Sequence, residues 1–452
     1  MKRRIPSILV ALYLLGCIVF GGSAQNPWTN LGLQIAGIGL LACAAIMGTG
    51  HEGKRALAVN ALLVCALLLV FIQLIPLPTA LWSSLPGRDR IVEGLSVLGY
   101  PARPFPISEM PHESVLTLFA AIPAVAAFIA TERLSPSPRL LAAAIVTGMI
   151  AAIFLGALQV AGGPGSWGYF YEIHNPGAIG FFANANHMAT LLLVGIPMAA
   201  ALVVSAKSKR GTSTVTRYGL GLAVFALVIV GVVLNGSRAA IGLSVPVIVA
   251  SLALFPAAMR WRGPALAVSV VALFAGVAII MSNPIAASEF DAGSAGDAAP
   301  VGSRGEIWST AAKAIGDTFP IGTGLGTFEN VYHQYENPER VTRSYVNHAH
   351  NDYLEIALEL GAGGLLLTLI FLAWWAVVAA RIWMSTYSSP FSRAATIATG
   401  AILAHSFVDF PLRTGAISAI FGACVGLMAL HLAPVPVEQS GELRPTRHVK
   451  LG

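Results

Sequence analysis

The sequence predicts an all-α, polytopic membrane protein of about twelve transmembrane helices with a large loop on its outer face. Three observations carry that reading. Of 452 residues, 56% are hydrophobic and only 11% are charged, against roughly 25% charged in an average soluble domain. Mean hydropathy is +0.74. Apolar runs recur along most of the chain at the length, roughly 20 residues, that crosses ~30 Å of hydrocarbon. A water-soluble globule is excluded, because it needs far more charge to cover its surface. Disorder is excluded too, since it requires low hydrophobicity and high charge.

The runs lie near 5–23, 30–48, 56–76, 114–131, 140–161, 187–206, 218–235, 239–258, 264–282, 361–380, 394–410 and 414–433. The first follows Lys2-Arg3-Arg4 and precedes Gly22-Ser23-Ala24, an arrangement that signal peptides share; it is read as a first span left in place. With the N-terminus inside, 18 of the 27 basic residues and four of the 21 acidic ones face the cytoplasm. Every inner segment then carries at least two basic residues, as the positive-inside rule demands. The net charge of +6 is therefore topogenic, and it marks no nucleic-acid partner. The four cysteines, Cys17, Cys43, Cys65 and Cys424, all fall inside apolar runs and support neither a disulfide framework nor a zinc site.

The inner segments are short and basic, and the tail 434–452 reads as a disordered cytoplasmic extension of a membrane domain covering 1–433. Chemistry therefore belongs on the outer face, where three loops are long: 77–113, 162–186 and about 283–360. In the last, the stretch 286–303 is small and polar. EIWSTAAKAIGDTF then forms an amphipathic helix with Ile307, Trp308, Ala311, Ala314, Ile315 and Phe319 near one face. The Gly-punctuated 321–326 (IGTGLG) is a turn; it lacks the Lys-Ser/Thr of a phosphate loop.

Asn347-His348-Ala349-His350-Asn351-Asp352-Tyr353-Leu354-Glu355 is the sharpest segment. Asp352 and Glu355 fit a capping box opening a helix that runs into the tenth span. The positive end of that helix disfavours an imidazolium at His350, which keeps the ring available as a base. The bland alternative is a capped interfacial helix with incidental histidines. Arg238, in NGSRAA, lies at the tight outer junction between spans seven and eight, where an arginine is costly unless paired or snorkelling. Arg304, in GSRGEIW, opens the loop helix, where it either holds an anion or pairs with Glu306. Two guanidiniums suit a diphosphate, and a neutral imidazole suits proton abstraction from a hydroxyl; neither metal nor cofactor is called for. Asn186 and His187 open the sixth span from outside, where such residues bind sugar or phosphate or cap the helix. His405 and Asp409 stand four apart, with Arg413 near, and read as an interhelix polar contact.

These motifs resemble the bacterial O-antigen ligase/polymerase superfamily, the Wzy-type membrane glycosyltransferases. That family shows His, then Asn, Ser or Gln, then nine residues, then G-x-x-G. Here His350-Asn351, DYLEIALEL and Gly361-Ala362-Gly363-Gly364 match in full, and GSRAA at Arg238, GSRGEIW at Arg304 and NANHMA around Asn186 look like family features. The likeness covers about 180–430. It implies a GT-C-like, metal-independent, inverting glycosyltransferase of the bacterial inner membrane, its active site facing the periplasm. The implied donor is a glycan on undecaprenyl diphosphate. The implied acceptor is lipid A core for a ligase, or a growing polysaccharide for a repeat-unit polymerase. By carry-over Arg238 and Arg304 hold the diphosphate and His350 activates the acceptor, with Asn186, His187, His348 and Asn351 as substrate-binding residues. The rival from another class is a twelve-span transporter, which the unlike halves and the outer clustering of charge disfavour.

Overall fold

The computed structural model describes residues 4–23, 26–48, 56–101, 103–171, 177–206, 214–255, 303–341 and 345–431, with a few positions between 263 and 271. Most of the ninth apolar run, most of 286–303 and the tail 434–452 lie outside the described residues. The described chain is almost entirely helical: α1 (Arg4–Phe20), α2 (Pro27–Met47), α3 (Ala56–Gln73), α4 (Thr79–Trp82), α5 (Asp89–Val97), α6 (Pro111–Ala120), α7 (Ile122–Leu134), α8 (Pro138–Gly162), α9 (Ala185–Ser205), α10 (Thr214–Asn235), α11 (Arg238–Leu252), α12 (Arg304–Thr318), α13 (Phe328–Tyr332), α14 (Asp352–Met384), α15 (Pro390–His405) and α16 (Gly415–Leu430). Two short strands, β1 (Pro76–Leu77) and β2 (Phe105–Pro106), pair antiparallel.

Eleven of the twelve apolar runs fall on these helices. Among the described residues, seven helices are long and apolar enough to cross a membrane: α2, α3, α6 with α7, α8, α9, α10 and α14. α1, α11 and α16 are shorter apolar helices. The α6–α7 run is interrupted only at Ala121, which keeps helical dihedrals, and Pro123 lacks the amide that would donate there. The run expected to end at 410 stops at His405. Beyond it the chain turns, and Pro411 opens a short 3₁₀ segment, Pro411–Arg413.

The core centres on α9, buried on most of its faces between α8, α10, α11 and α15. A second seam joins α16 to α7. Gly422 and Gly426, four residues apart, let the backbones touch: a methyl at Gly422 would meet the Ala124 carbonyl at 2.3 Å. Where no water competes, such small-residue seams carry helix association through close packing.

The long connecting loops are braced by polar side chains. Arg88 is fully buried and paired with Glu109, and its guanidinium also donates to the Ile107 carbonyl (2.6 Å) and the Gly322 carbonyl (3.2 Å). Burial lowers the Arg88 pKa and raises that of Glu109, and each partner's charge opposes the shift. Arg90 lies over the Tyr335 ring at 4.6 Å. The first long loop is thereby fastened to the last.

α12 matches the expected amphipathic helix, with Ile307, Ala311 and Ala314 buried. Phe319 departs from the expectation. It follows the last helical turn in an extended conformation and is 46% exposed, because Pro320 cannot continue the helix and the chain leaves the buried face there.

After α12, residues 320–326 clasp α14 at a break. The Ala362 amide donates to the Pro320 carbonyl (2.9 Å), the Thr323 amide to Leu358 (3.0 Å) and the Gly324 amide to Glu359 (2.9 Å). Gly361 takes φ 58 and ψ −146 inside α14, a region essentially reserved for glycine. A methyl there would lie 2.2 Å from the Pro320 carbonyl oxygen. Gly361→Ala should cost at least about 1–3 kcal/mol for the backbone conformation alone. A thermal midpoint in detergent equal to wild type would contradict this account of the break.

Candidate active site

α14 opens on Asn351, not on the Asp352 capping box the sequence suggests. Asn351 is extended (φ −163, ψ 104), and its Oδ1 accepts from the amides of Tyr353 (3.0 Å) and Leu354 (3.2 Å). Asp352 is thereby the first helical residue, and its amide donates to the Ser406 carbonyl at 3.0 Å. Glu355 reaches back past the cap to accept from the Ala349 amide at 2.8 Å. On the other side the Trp308 indole of α12 donates to the Ala349 carbonyl at 2.8 Å. Residues 348–351 are thus held from both flanks.

His350 sits in this strap with φ 50, one of two non-glycine residues with positive φ among those described. A non-glycine side chain is uncommon there and costs backbone strain that the surrounding contacts must over-determine. The conformation sets Nδ1 3.3 Å from Asp409 Oδ1. Asp409 lies in the turn beyond α15, its side chain wholly buried. The same oxygen accepts from the Phe410 amide at 2.9 Å and stands 3.9 Å from His187 Nε2. A buried acceptor-only carboxylate beside Nδ1 selects the tautomer with the proton on Nδ1 and leaves Nε2 as a lone pair. The His350 side chain is 29% exposed, so the ring is held from beneath and open above.

Phe410 gathers three of the candidate histidines. His348 stacks on it at 4.0 Å between centroids, while His187 and His350 meet it edge-on at 4.8 and 4.9 Å. His348 Nδ1 is 3.2 Å from both Glu355 oxygens. His405, beneath, shares a 2.8 Å hydrogen bond with the Thr190 hydroxyl, and Thr190 donates to the Asn186 carbonyl at 3.0 Å. That single hydroxyl proton is spent on Asn186, so His405 Nδ1 is the donor to Thr190.

Asn186 belongs to the same network from the side of α9. Its Oδ1 accepts from the Ser237 hydroxyl at 2.7 Å, and Ser237 in turn caps α11, whose first residue is Arg238. Arg238 is exposed. Arg304, half-buried at the head of α12, is close enough to His405 for its charge to act there. The structure therefore brings His187, His348 and His350 together around Phe410, links Asn186 to His405 through Thr190, and spends the Asn351 oxygen on the helix cap.

Below lies an ionic knot that sequence reasoning missed. Arg413 is 3.0 Å from Glu355, 2.9 Å from Glu359 and 3.8 Å from Asp352. Burial lowers the Arg413 pKa, and the three carboxylates outweigh it, holding the guanidinium above its ordinary value. The spacing 352, 355, 359 on one helix face was the available signal. Asp409 was missed as the partner of His350 because 59 residues separate them.

Residues 223–369 match a family model described as O-antigen ligase. The match covers about a third of the chain and supports membership of the O-antigen ligase superfamily. No curated protein matches the chain. The matched stretch holds Arg238, Arg304, His348, His350, Asn351 and the Gly361–Gly364 break, while Asn186, His187, Asp409 and Arg413 reach the site from outside it. The matched domain and the seven membrane-length helices together support a membrane enzyme of the ligase or polymerase type.

Proposed function

We propose that the protein transfers a glycan from undecaprenyl diphosphate to an acceptor hydroxyl at the periplasmic face of the bacterial inner membrane, with ligase chemistry ahead of repeat-unit polymerisation. The observation that carries the reading is the strained His350 with its Nδ1 on buried Asp409. In the proposed step the acceptor oxygen attacks the anomeric carbon from the face opposite the diphosphate. Its proton passes to His350 Nε2, and the bond from the anomeric carbon to the diphosphate oxygen breaks with inversion. The lipid diphosphate leaves with the electron pair, stabilised by Arg238 and Arg304 as bidentate donors. Asn186, His187 and His348 line the sugar side, and Asn351 acts through the cap it makes. The twelve-span count and the periplasmic position of the 283–360 loop belong to the same proposal.

The reading is tested by transfer from purified undecaprenyl-diphosphate glycan to lipid A core, or to a second lipid-linked repeat, with EDTA present. Product with inverted anomeric configuration at undiminished rate is expected; a rate abolished by EDTA and restored by a divalent cation would overturn it. Asp409→Asn should lower kcat by roughly 10²-fold while the donor KM stays near wild type. The amide would donate to Nδ1 and place the proton on Nε2, the wrong tautomer. A loss confined to KM would make Asp409 a binding residue instead.

A further inference from the structure

A short helix in the first long loop buries nothing of its own. α5 has no buried residue, yet Ile91, Val92, Leu95 and, just past its end, Leu98 recur at the spacing of one helical face. Asp89, Glu93 and Ser96 occupy the other face. The tip that follows is apolar too: Val97, Leu98 and Tyr100 are 81%, 71% and 60% exposed. A helix of nine residues is marginal in water by itself, and an exposed apolar patch rimmed by polar residues marks a contact surface.

The way the chain enters and leaves this segment says what covers it. At the end of α3 the side chains of Phe71, Ile72 and Ile75 are exposed, and on a span-length apolar helix that is the flank turned to lipid. Leu81 of α4 carries the same exposed strip onward. At this rim β1 pairs with β2, and the Ser108 amide donates to the Gln73 carbonyl at 2.9 Å, so the excursion between the two strands leaves and returns at one level. The Gln73 amide group donates to the Glu359 carbonyl at 2.9 Å, which sets that level beside the Gly361 break. Arg88 precedes α5 and is held by the Ile107 and Gly322 carbonyls, so α5 starts at the rim as well. Its roll is set by Arg90, which donates to the Gln334 carbonyl at 3.2 Å and covers the Tyr335 ring. Tyr335 packs on the loop core of Ile307, Phe328 and Leu358, which lies on the other side of Gly361 from the span. The flank opposite Arg90, with Val92 and Leu95, therefore turns toward the rim.

We infer that α5 and the 97–100 tip lie in the headgroup–acyl boundary of the leaflet from which α3 emerges, apolar face inward, as an interfacial anchor for the first long loop. The partner is a lipid surface, and it is held by apolar area and not by charge. Asp89 and Glu93 outnumber Arg90 on the helix, so anionic headgroups do not draw it in, and burial of the apolar face carries the binding. Tyr100 falls where aromatic side chains collect at membrane–water boundaries. Arg88 joins this loop to Gly322, and residues 320–326 clasp α14 at its break, so the anchor fixes the height of that clasp against the bilayer. None of this depends on the transfer chemistry.

Photocrosslinking of the full-length protein in phosphatidylcholine nanodiscs tests the anchor. p-Benzoylphenylalanine is installed at Leu98, at Tyr100 and, on the polar face, at Glu93, and the products are read by intact mass. Leu98 and Tyr100 should each gain one phospholipid and Glu93 about tenfold less, and admixed phosphatidylglycerol should leave the yields unchanged. Val92→Glu with Leu95→Glu, made in the protein that crosslinks from position 100, should lower its lipid adduct about tenfold. The thermal midpoint in detergent should stay at the wild-type value, because neither side chain is buried in the protein. A covalent dimer in place of the lipid adduct would assign the face to a second copy, and an internal crosslink would assign it to another segment of this chain. Equal lipid adducts at all three positions would remove the face-inward orientation, and adducts that form only with phosphatidylglycerol would make the contact electrostatic. Any of these results, or no lipid adduct at all, overturns the inference.

Discussion

His350→Ala should reduce glycan transfer by about 10³–10⁴-fold, the upper part of the range for losing a positioned general base, with the protein still inserted and folded. Two contributions are lost together: the Nε2 lone pair that accepts the hydroxyl proton and the ring that seats the strap against Asp409 and Phe410. His350→Asn separates them. Asparagine tolerates positive φ better than most residues but supplies no base at neutral pH, so it should match alanine in rate and exceed it in thermal stability. The assay is single-turnover transfer from lipid-linked glycan at saturating acceptor. A wild-type rate in either variant would remove His350 from the mechanism.

Arg413→Ala should cost about 3–5 kcal/mol, the usual consequence of stranding buried charge. Arg413 is the guanidinium shared by Asp352, Glu355 and Glu359, and those three side chains are at most 5% exposed. Removing it leaves three carboxyls facing one another under the strap, with Glu355 still accepting from Ala349. The expected measurement is a large fall in unfolding midpoint in detergent, accompanied by loss of activity. The paired change Arg413→Met with Glu359→Met should recover part of the lost stability, because it removes charge on both sides of the contact. A single variant as stable as wild type would show that the knot contributes nothing.

The membrane architecture was legible because transfer free energy acts on composition: apolar runs of span length have few other fates. His350, Arg238 and Arg304 stood out as candidates in the sequence because polar groups at the edge of a charge-poor chain are conspicuous. The His350-to-Gly361 spacing was legible only as a pattern, and its reason, the Gly361 break clasped by Pro320 and Thr323, needed coordinates. Asp409 was not legible as the partner of His350, since two basic alternatives for its carboxylate, His405 and Arg413, each four residues away, were nearer in sequence than His350. The helix cap was misplaced by one residue because Asn351 and Asp352 are both good caps, and only the extended backbone at Asn351 decides between them.

The nine residues between Asn351 and Gly361 make a strut of fixed length and pitch. Its upper end is anchored by the Asp352 amide on Ser406, and its lower end by the Ala362 amide on Pro320. Between two immovable anchors, helix length becomes angular phase. Adding or deleting one residue within 353–360 would turn the upper end by about 100° and shift it by ~1.5 Å. His350 would then swing off Asp409 with every side chain of the site still present. The count of residues in that interval is thus itself a specification, as binding on the seating of His350 as the contacts that hold its ring.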